Sequence, residues 1–294
     1  MMIRKILFVF LFFSANLRAQ EAPLSNVLHD SVISNDLAPE KTPKSTQSDK
    51  MYHLNYATVL PIIAVGFAAT AYSFSVIYTK KRTPVTTIQN LNTNNIPAFD
   101  RWATKYHNLD MDRISYYPFY AVMPLPLILL ADKKIRKDAG KVGLMYLEAF
   151  AFTGIVYGSA VYFIDRYRPD VYNTGLDMSY RTNGNYRNSF FAGHVAVIAT
   201  STFFIAKVYD DYHPHSPWKW VVYAGAAAAT LGMGDMRLHA GKHFPSDILL
   251  GALVGTTSGL LTPVFHKNRS KMQKWSLGPD VMPDGAGFAF TYKL

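Results

Sequence analysis

The 294-residue chain has no cysteine. Neither a disulfide nor a thiolate metal site can form. Acidic residues are also scarce, 20 Asp and Glu against 30 Lys and Arg, which leaves a net charge of +10. An excess of that sign suggests nucleic acid. Here, however, most of the basic residues sit in short loops beside apolar runs, where they set topology and attract anionic lipid. Nucleic acid is therefore not an expected partner. What the chain has instead is apolar sequence: 49% of residues are hydrophobic and 14% aromatic. Its mean hydropathy is near zero because polar stretches (21–49, 83–113, 165–188) alternate with long apolar ones. That segregation is the profile of a membrane protein with loops.

The opening "MMIRKILFVFLFFSANLRAQ" reads as a secretory signal over residues 1–19, with Arg4 and Lys5 ahead of a short apolar run and a small-residue site after Ala19. Residues 20–50 are too polar to pack and read as a flexible lead-in. Six stretches approach the roughly 20 apolar residues needed to cross a bilayer: 57–78, 115–131, 142–164, 190–209, 218–233 and 248–265. The expected fold is thus an all-α integral membrane bundle of about six helices over residues 51–266. Pro118, Pro124 and Pro126 should kink or break the second span. Gly154/Gly158 and Gly251/Gly255 are small-residue pairs one turn apart, suited to close helix packing. The tail, 267–294, is basic at first and ends in the alternating "GAGFAFTYKL", which cannot form a sheet alone.

Two topology rules collide. The loop "DKKIRKDAGK" and the basic segment after span six belong in the cytoplasm by the positive-inside rule. The loops 165–188 and 234–246 then face outward. A cleaved signal, however, places Glu21 outside and would invert a six-span chain. Either residues 57–78 do not fully cross, which leaves Lys80, Lys81 and Arg82 outside, or the leader is not an ordinary signal.

Between spans five and six lies "GDMRLHAGKHFPSD" (234–247), a cluster of charge beside lipid-facing sequence that needs a reason. Gly241 and Pro245 break any continuous helix, and Pro245 suits the first turn of a new one. His243 then precedes a helix start, with Asp247 four residues on and able to accept from its ring. Arg237 lies six residues before it. An oriented histidine beside a guanidinium at a helix N-terminus favours an anion, phosphate above all. "FIDRYRPD" closes span three with Arg166 and Arg168. "NSFFAGHVAV" opens span four, with Ser189 as an expected N-cap, Gly193 allowing close approach to backbone amides and His194 at the helix start. All three stretches fall on one membrane face. The fragment "YDDYHPH" (209–215) falls on the other and reads as a solvated turn, and the aromatics of "ISYYPFY" suit an interfacial belt.

The pairs Arg168–Pro169 and Gly193–His194 and the set Arg237, His243, Asp247 resemble the three signature motifs of the type 2 phosphatidic acid phosphatase family, whose superfamily includes vanadium haloperoxidases. The resemblance covers residues 141–266. It implies a metal-free, cofactor-free phosphoryl transfer. His243 would attack phosphorus with Asp247 orienting its ring. His194 would protonate the leaving oxygen and then activate water. Arg168, Arg237 and the Gly193 amide would hold the phosphoryl oxygens. The implied substrates are lipid phosphates or diphosphates, such as phosphatidate, phosphatidylglycerol phosphate, undecaprenyl diphosphate or lipid A phosphates. The implied place is a bacterial inner membrane, with the site facing the periplasm and the loop 171–189 forming part of a head-group pocket.

The chain departs from the family pattern at Val161, where relatives carry lysine, at Ala192, where they carry serine, and at Met236, where the third motif begins with serine. Arg166, Arg187 and Lys242 are the charges available as replacements, although Arg166 reads first as a helix-end anchor. Two other readings stand beside the phosphatase. One is a relative that binds a phospholipid head group without turnover, motivated by Val161 and Ala192. The other is a vanadate-dependent haloperoxidase, disfavoured by the continuous apolar spans. A zinc site on His239 and His243 lacks a third ligand, and Gly241 breaks its helix.

Overall fold

The computed structural model describes residues 51–268 and, by backbone, the strands Trp275–Met282 and Gly285–Tyr292. The expected signal and lead-in over 1–50 lie outside the described residues. Asn55 opens the first long helix, α1 (Tyr56–Thr79), by accepting from the Ala57 amide at 3.1 Å. Asn108 does the same for α2 (Leu109–Val122), accepting from Asp110 and Met111 at 3.0 Å. These caps satisfy helix-start amides that have no carbonyl behind them. Pro124 then ends α2, and the chain continues as a 3-10 turn over Leu125–Ala131. This is the break expected in the second span, while Pro118 remains inside α2. The remaining long helices are α3 (Ala139–Phe163), α4 (Gly193–Tyr212), α5 (Trp218–His239) and α6 (Pro245–His266).

The segments Tyr56–Thr79, Leu109–Ala131, Ala139–Phe163 and Pro245–His266 are long and apolar enough to cross a membrane. The other two long helices are more polar. For α4 the reason is its place at the centre, packed by α3, α5 and α6. A helix lined by protein can carry hydroxyls if each finds a partner. Thr200, Ser201 and Thr202 bond back to carbonyls one turn earlier at 2.8, 3.0 and 2.8 Å. Thr200 also meets Thr153 of α3 at 2.8 Å, and Ser201 meets Tyr146 at 2.9 Å.

Glycines set how closely the helices approach. A methyl at Gly251, Gly255 or Gly259 of α6 would lie 2.5, 2.2 or 2.6 Å from the carbonyls of Ala192, Ala196 and Thr200 on α4. The seam legible at two positions thus runs for three. Across the bundle, Gly154 and Gly158 of α3 receive Thr70 and Ser73 of α1. Gly255→Val is therefore expected to destabilise by at least about 1–3 kcal/mol through overpacking against rigid backbone. Gly225→Ala on α5, where nothing lies within 4 Å, should be neutral or stabilising. Apparent melting temperatures in one detergent check the pair.

The course of α1 removes one way out of the topology conflict. At its start, Lys141 Nζ donates to the Tyr52 carbonyl at 2.6 Å. At its other end, Lys80 Nζ reaches the Val161 carbonyl at 3.0 Å and Asp165 at 2.9 Å, beyond the end of α3. Helix α1 therefore runs the whole length of α3 and does not stop short. Residues 51–53 pair with 266–268 at the far face (His53 N to His266 O, 2.8 Å; Asn268 N to Met51 O, 2.9 Å). The fragment 209–215 on that face is no solvated turn. Helix α4 runs through Tyr212, and buried Asp211 accepts from Tyr52 at 2.9 Å and from Lys207 and Lys267 at 2.6 Å. His213 Nε2 lies 2.8 Å from Asp132. The alternating tail finds the partner it needs in Trp275–Met282, which runs antiparallel to Gly285–Tyr292 with Trp275 opposite Tyr292.

Candidate active site

The end of the bundle opposite the paired termini carries the expected cluster. Helix α5 closes at Ala240, and Gly241 takes a φ of +72°. A side chain there would be strained and would meet the Tyr106 carbonyl at 2.3 Å. Pro245 starts α6 four residues later. The turn holds Lys242 and His243 in the interior, both buried.

His243 is oriented, but not by the residue expected. Its Nδ1 lies 2.7 Å from the Ser189 carbonyl, the bond of an Nδ1–H donor, which leaves Nε2 as the free lone pair. Asp247 acts one step further out. It sits in the first turn of α6, where its carboxylate turns back to accept from the Phe244 amide at 3.0 Å. The same oxygen takes the Ser189 hydroxyl at 2.7 Å, and the other takes Arg166. With its oxygens so engaged, Asp247 fixes the strand that holds His243 rather than the ring. Ser189 is accordingly no N-cap of α4, which begins at Gly193 with Ala192 at the cap position and no side-chain cap. A tertiary carboxylate outcompeted the local amides.

Arg166 is the centre of this support and not a helix-end anchor. It donates to Asp247, to Ser246 Oγ at 2.9 Å and to buried Asp100 at 2.7 Å, with its guanidinium 4.4 Å from the Phe244 ring centre. Asp100 in turn accepts from the Ser246 amide at 2.9 Å and hydroxyl at 2.6 Å. The loop 165–188 closes on itself by a short parallel pairing: Arg166 N to Arg187 O, Arg168 N to Tyr186 O, and Ser189 N to Arg166 O, at 2.9–3.0 Å. That pairing fixes Arg168 beside the strand that carries Ser189.

Four of the expected residues converge. The charges of Arg237, Arg168 and His194 all act on the His243 ring. Arg237 is buried and held by α2, donating from Nη1 to Asp112 at 2.7 Å and to Ser115 at 2.8 Å. Arg168 lies over the Tyr186 ring at 5.6 Å and has no carboxylate partner among the described residues. His194 packs against Phe119 at 4.3 Å and Tyr116 at 5.0 Å, and Tyr116 also lies 5.9 Å from the Arg237 guanidinium. Gly193 stands at the start of α4, where a side chain would press on Tyr157 at 2.8 Å. Three buried nitrogens here have no hydrogen-bond partner: Arg168 Nε, Arg237 Nε and His194 Nε2. Each is a costly vacancy in a folded protein.

The family's missing contacts are not replaced by the available cations. Lys242 donates to Asp170 at 3.0 Å and to Tyr180 at 2.7 Å, Arg166 is committed as described, and Arg187 Nε faces Asp165 at 3.4 Å. Val161 and Ala192 are fully buried apolar packing. Sequence reasoning missed Asp100, Asp112, Ser115, Phe119 and Asp170 altogether. Only Asp112 left a signal, as an acid at the head of an apolar span.

Burial pushes His243 well below the ordinary histidine value of 6.5, and the charges of Arg237 and Arg168 push further, against the Ser189 bond. The folded ring therefore stays neutral where the unfolded one takes up a proton. Its contribution to stability is present above about pH 6.5 and is lost as pH falls below that value, by up to about 1.4 kcal/mol per pH unit. Melting temperatures between pH 8 and 5 should fall less steeply for His243→Gln than for the wild type.

The fold is a helical bundle with four segments long and apolar enough to cross a membrane, and one end of it gathers buried histidine, two guanidinium groups and unpartnered nitrogens. Residues 142–271 match the model of the PAP2 superfamily. No curated protein matches the chain. Among solved structures it is similar to a transmembrane PAP2-type phosphatidylglycerolphosphate phosphatase from Bacillus subtilis, at 20% identity and a TM-score of 0.42, over 72% of this chain and 96% of that one.

Proposed function

We propose that this protein is a membrane phosphatase that hydrolyses a lipid-linked phosphate through a phosphohistidine on His243. One observation carries the reading: Arg168 Nε, Arg237 Nε and His194 Nε2 are buried donors without partners, around a histidine whose Nε2 lone pair is free. A phosphoryl group is the ligand that satisfies all of them at once. His243 Nε2 attacks phosphorus as the ester P–O bond breaks. Burial and the charges of Arg237 and Arg168 lower the His194 pKa, so the negative charge of the bound phosphate dianion is what has to hold a proton on the ring, and His194 gives that proton to the leaving alkoxide. It then takes a proton from water, whose oxygen displaces His243 and releases orthophosphate. Arg168, Arg237 and the amide of Gly193 carry the charge on the non-bridging oxygens without calling on a metal. Asp247 contributes through Ser189 and Arg166.

The substrate is amphiphilic, with its phosphate at the helix ends and its chains beside the bundle. The site faces the periplasm of a bacterial inner membrane, supported by the basic run Lys133–Lys141 on the opposite face. The test is phosphate release from a panel of lipid phosphates by protein purified in detergent. Turnover is expected. Saturable binding of every lipid with no turnover would favour the head-group binder, the alternative that buried Val161 and Ala192 motivate.

A further inference from the structure

We infer that the site is built for the phosphate monoester of a lipid alcohol and disfavours a diphosphate, with Asp112 as the discriminating residue. The inference rests on the phosphatase reading above. It starts from which cations are free. Arg166 is held between Asp100 and Asp247. Lys242 is held by Asp170 at 3.0 Å and lies 3.7 Å from Asp112. Arg237 shares its Nη1 with Asp112 at 2.7 Å. Arg168 alone in this set has no carboxylate beside it among the described residues. One free guanidinium and the open edge of another suffice for a single phosphoryl group.

A diphosphate needs more. Attack on its terminal phosphorus breaks the P–O–P bridge and releases a phosphomonoester anion, which must be held beside His194. That side of the site is formed by α2, whose Asp112, Ser115, Tyr116 and Phe119 recur at helical spacing toward the pocket. Phe119 and Tyr116 lie against the His194 ring, so the leaving group meets aromatic faces. On α2 the Asp112 carboxylate stands one helical turn before Tyr116, and although one of its oxygens accepts from Arg237, it adds negative charge to the side where a leaving anion would sit. A monoester leaves as an alcohol, neutral once it has taken the proton of His194, and its apolar body suits these rings. Like charges brought together in a partly desolvated site repel, enough to set a preference.

The matched pair of farnesyl phosphate and farnesyl diphosphate isolates the difference, because the alkyl chain is the same. Wild-type protein in detergent should favour the monoester in kcat/KM by roughly tenfold or more. Asp112→Asn should narrow that ratio at least about fivefold, chiefly through a lower KM for the diphosphate, and Asp112→Glu should keep the wild-type preference. If both substrates turn over equally and His243→Ala abolishes both, the inference fails while the phosphatase reading stands. If the preference exists but Asp112→Asn leaves it unchanged, Asp112 is not the discriminator. If neither substrate nor phosphatidate is turned over, both fall together. Should Asp112→Asn not fold, inhibition of the wild type decides: orthophosphate should inhibit more tightly than pyrophosphate, and the reverse order overturns the inference.

Discussion

Replacing His243 by alanine is expected to lower phosphate release from a lipid phosphate by about four orders of magnitude, with the protein still folded. The size of the loss follows from the chemistry assigned to Nε2. His194, the other histidine of the cluster, is assigned to proton transfer, and water cannot take the place of His243 without a base positioned on the same side. Above pH 6.5 alanine loses the ring's packing and its bond to the Ser189 carbonyl, so stability should fall modestly there, and the deficit should shrink as pH drops below 6.5, where the wild type must keep the ring neutral. His243→Gln tests the same point with less loss of volume. Initial rates with phosphatidate, alongside size-exclusion profiles, separate lost chemistry from lost fold.

Asp247→Ala has the second largest expected effect, and it acts on both fold and rate. The carboxylate is fully buried and accepts from Arg166, the Ser189 hydroxyl and the Phe244 amide. Its removal takes one carboxylate from Arg166, which keeps Asp100 and Ser246, and leaves the Ser189 hydroxyl and the Phe244 amide as buried donors without that partner, at about 1–3 kcal/mol each. It also frees the strand whose Ser189 carbonyl fixes the His243 tautomer, so the rate should fall by about two to three orders of magnitude. The diagnostic contrast is Arg166→Gln. Arg166 also holds Asp247, so the same strand loosens, and both variants should lose kcat more than they raise KM. Had Asp247 bound the imidazole itself, Arg166→Gln would leave kcat nearly intact. Steady-state kinetics on the two variants decides between these outcomes.

Much of this architecture is legible in sequence because membrane physics leaves few choices. Among the described residues each of the six apolar stretches falls in a long helix, though only four segments are apolar enough to cross a membrane, and the proline-rich second stretch broke at Pro124 as its chemistry requires. The residues around the turn at Gly241 and Pro245 are legible too, because glycine and proline there have only one good use. Failures came where a distant partner outbid a near one. Ser189 before an apolar run is an ordinary cap, but Asp247, 58 residues away in sequence, took its hydroxyl. Asp247 is well spaced to meet His243, but its place in the first turn of α6 aims it at the Phe244 amide. Asp100 and Asp112 reach Arg166 and Arg237 across 66 and 125 residues, and no local pattern encodes such pairs. The aromatics of α2 looked like an interfacial belt because composition alone cannot tell a ring that meets lipid from one that meets His194.

The departures from the family pattern also gain a physical meaning. Val161 and Ala192 are packed without solvent, so a lysine or serine introduced there would enter a dry interior and not an open pocket. On the proposed reading, phosphate would be held by Arg168, Arg237 and the first amides of α4.

The central claim is that His243 becomes covalently phosphorylated. Rapid acid-free quenching of purified protein mixed with radiolabelled phosphatidate, followed by peptide mapping, tests it most directly. The expected result is an alkali-stable, acid-labile label on the peptide that contains His243, absent in His243→Ala and slower both to form and to decay in His194→Ala, where the first step has lost its acid and the second its base. Turnover without any labelled peptide, or a label that persists in His243→Ala, would contradict the account.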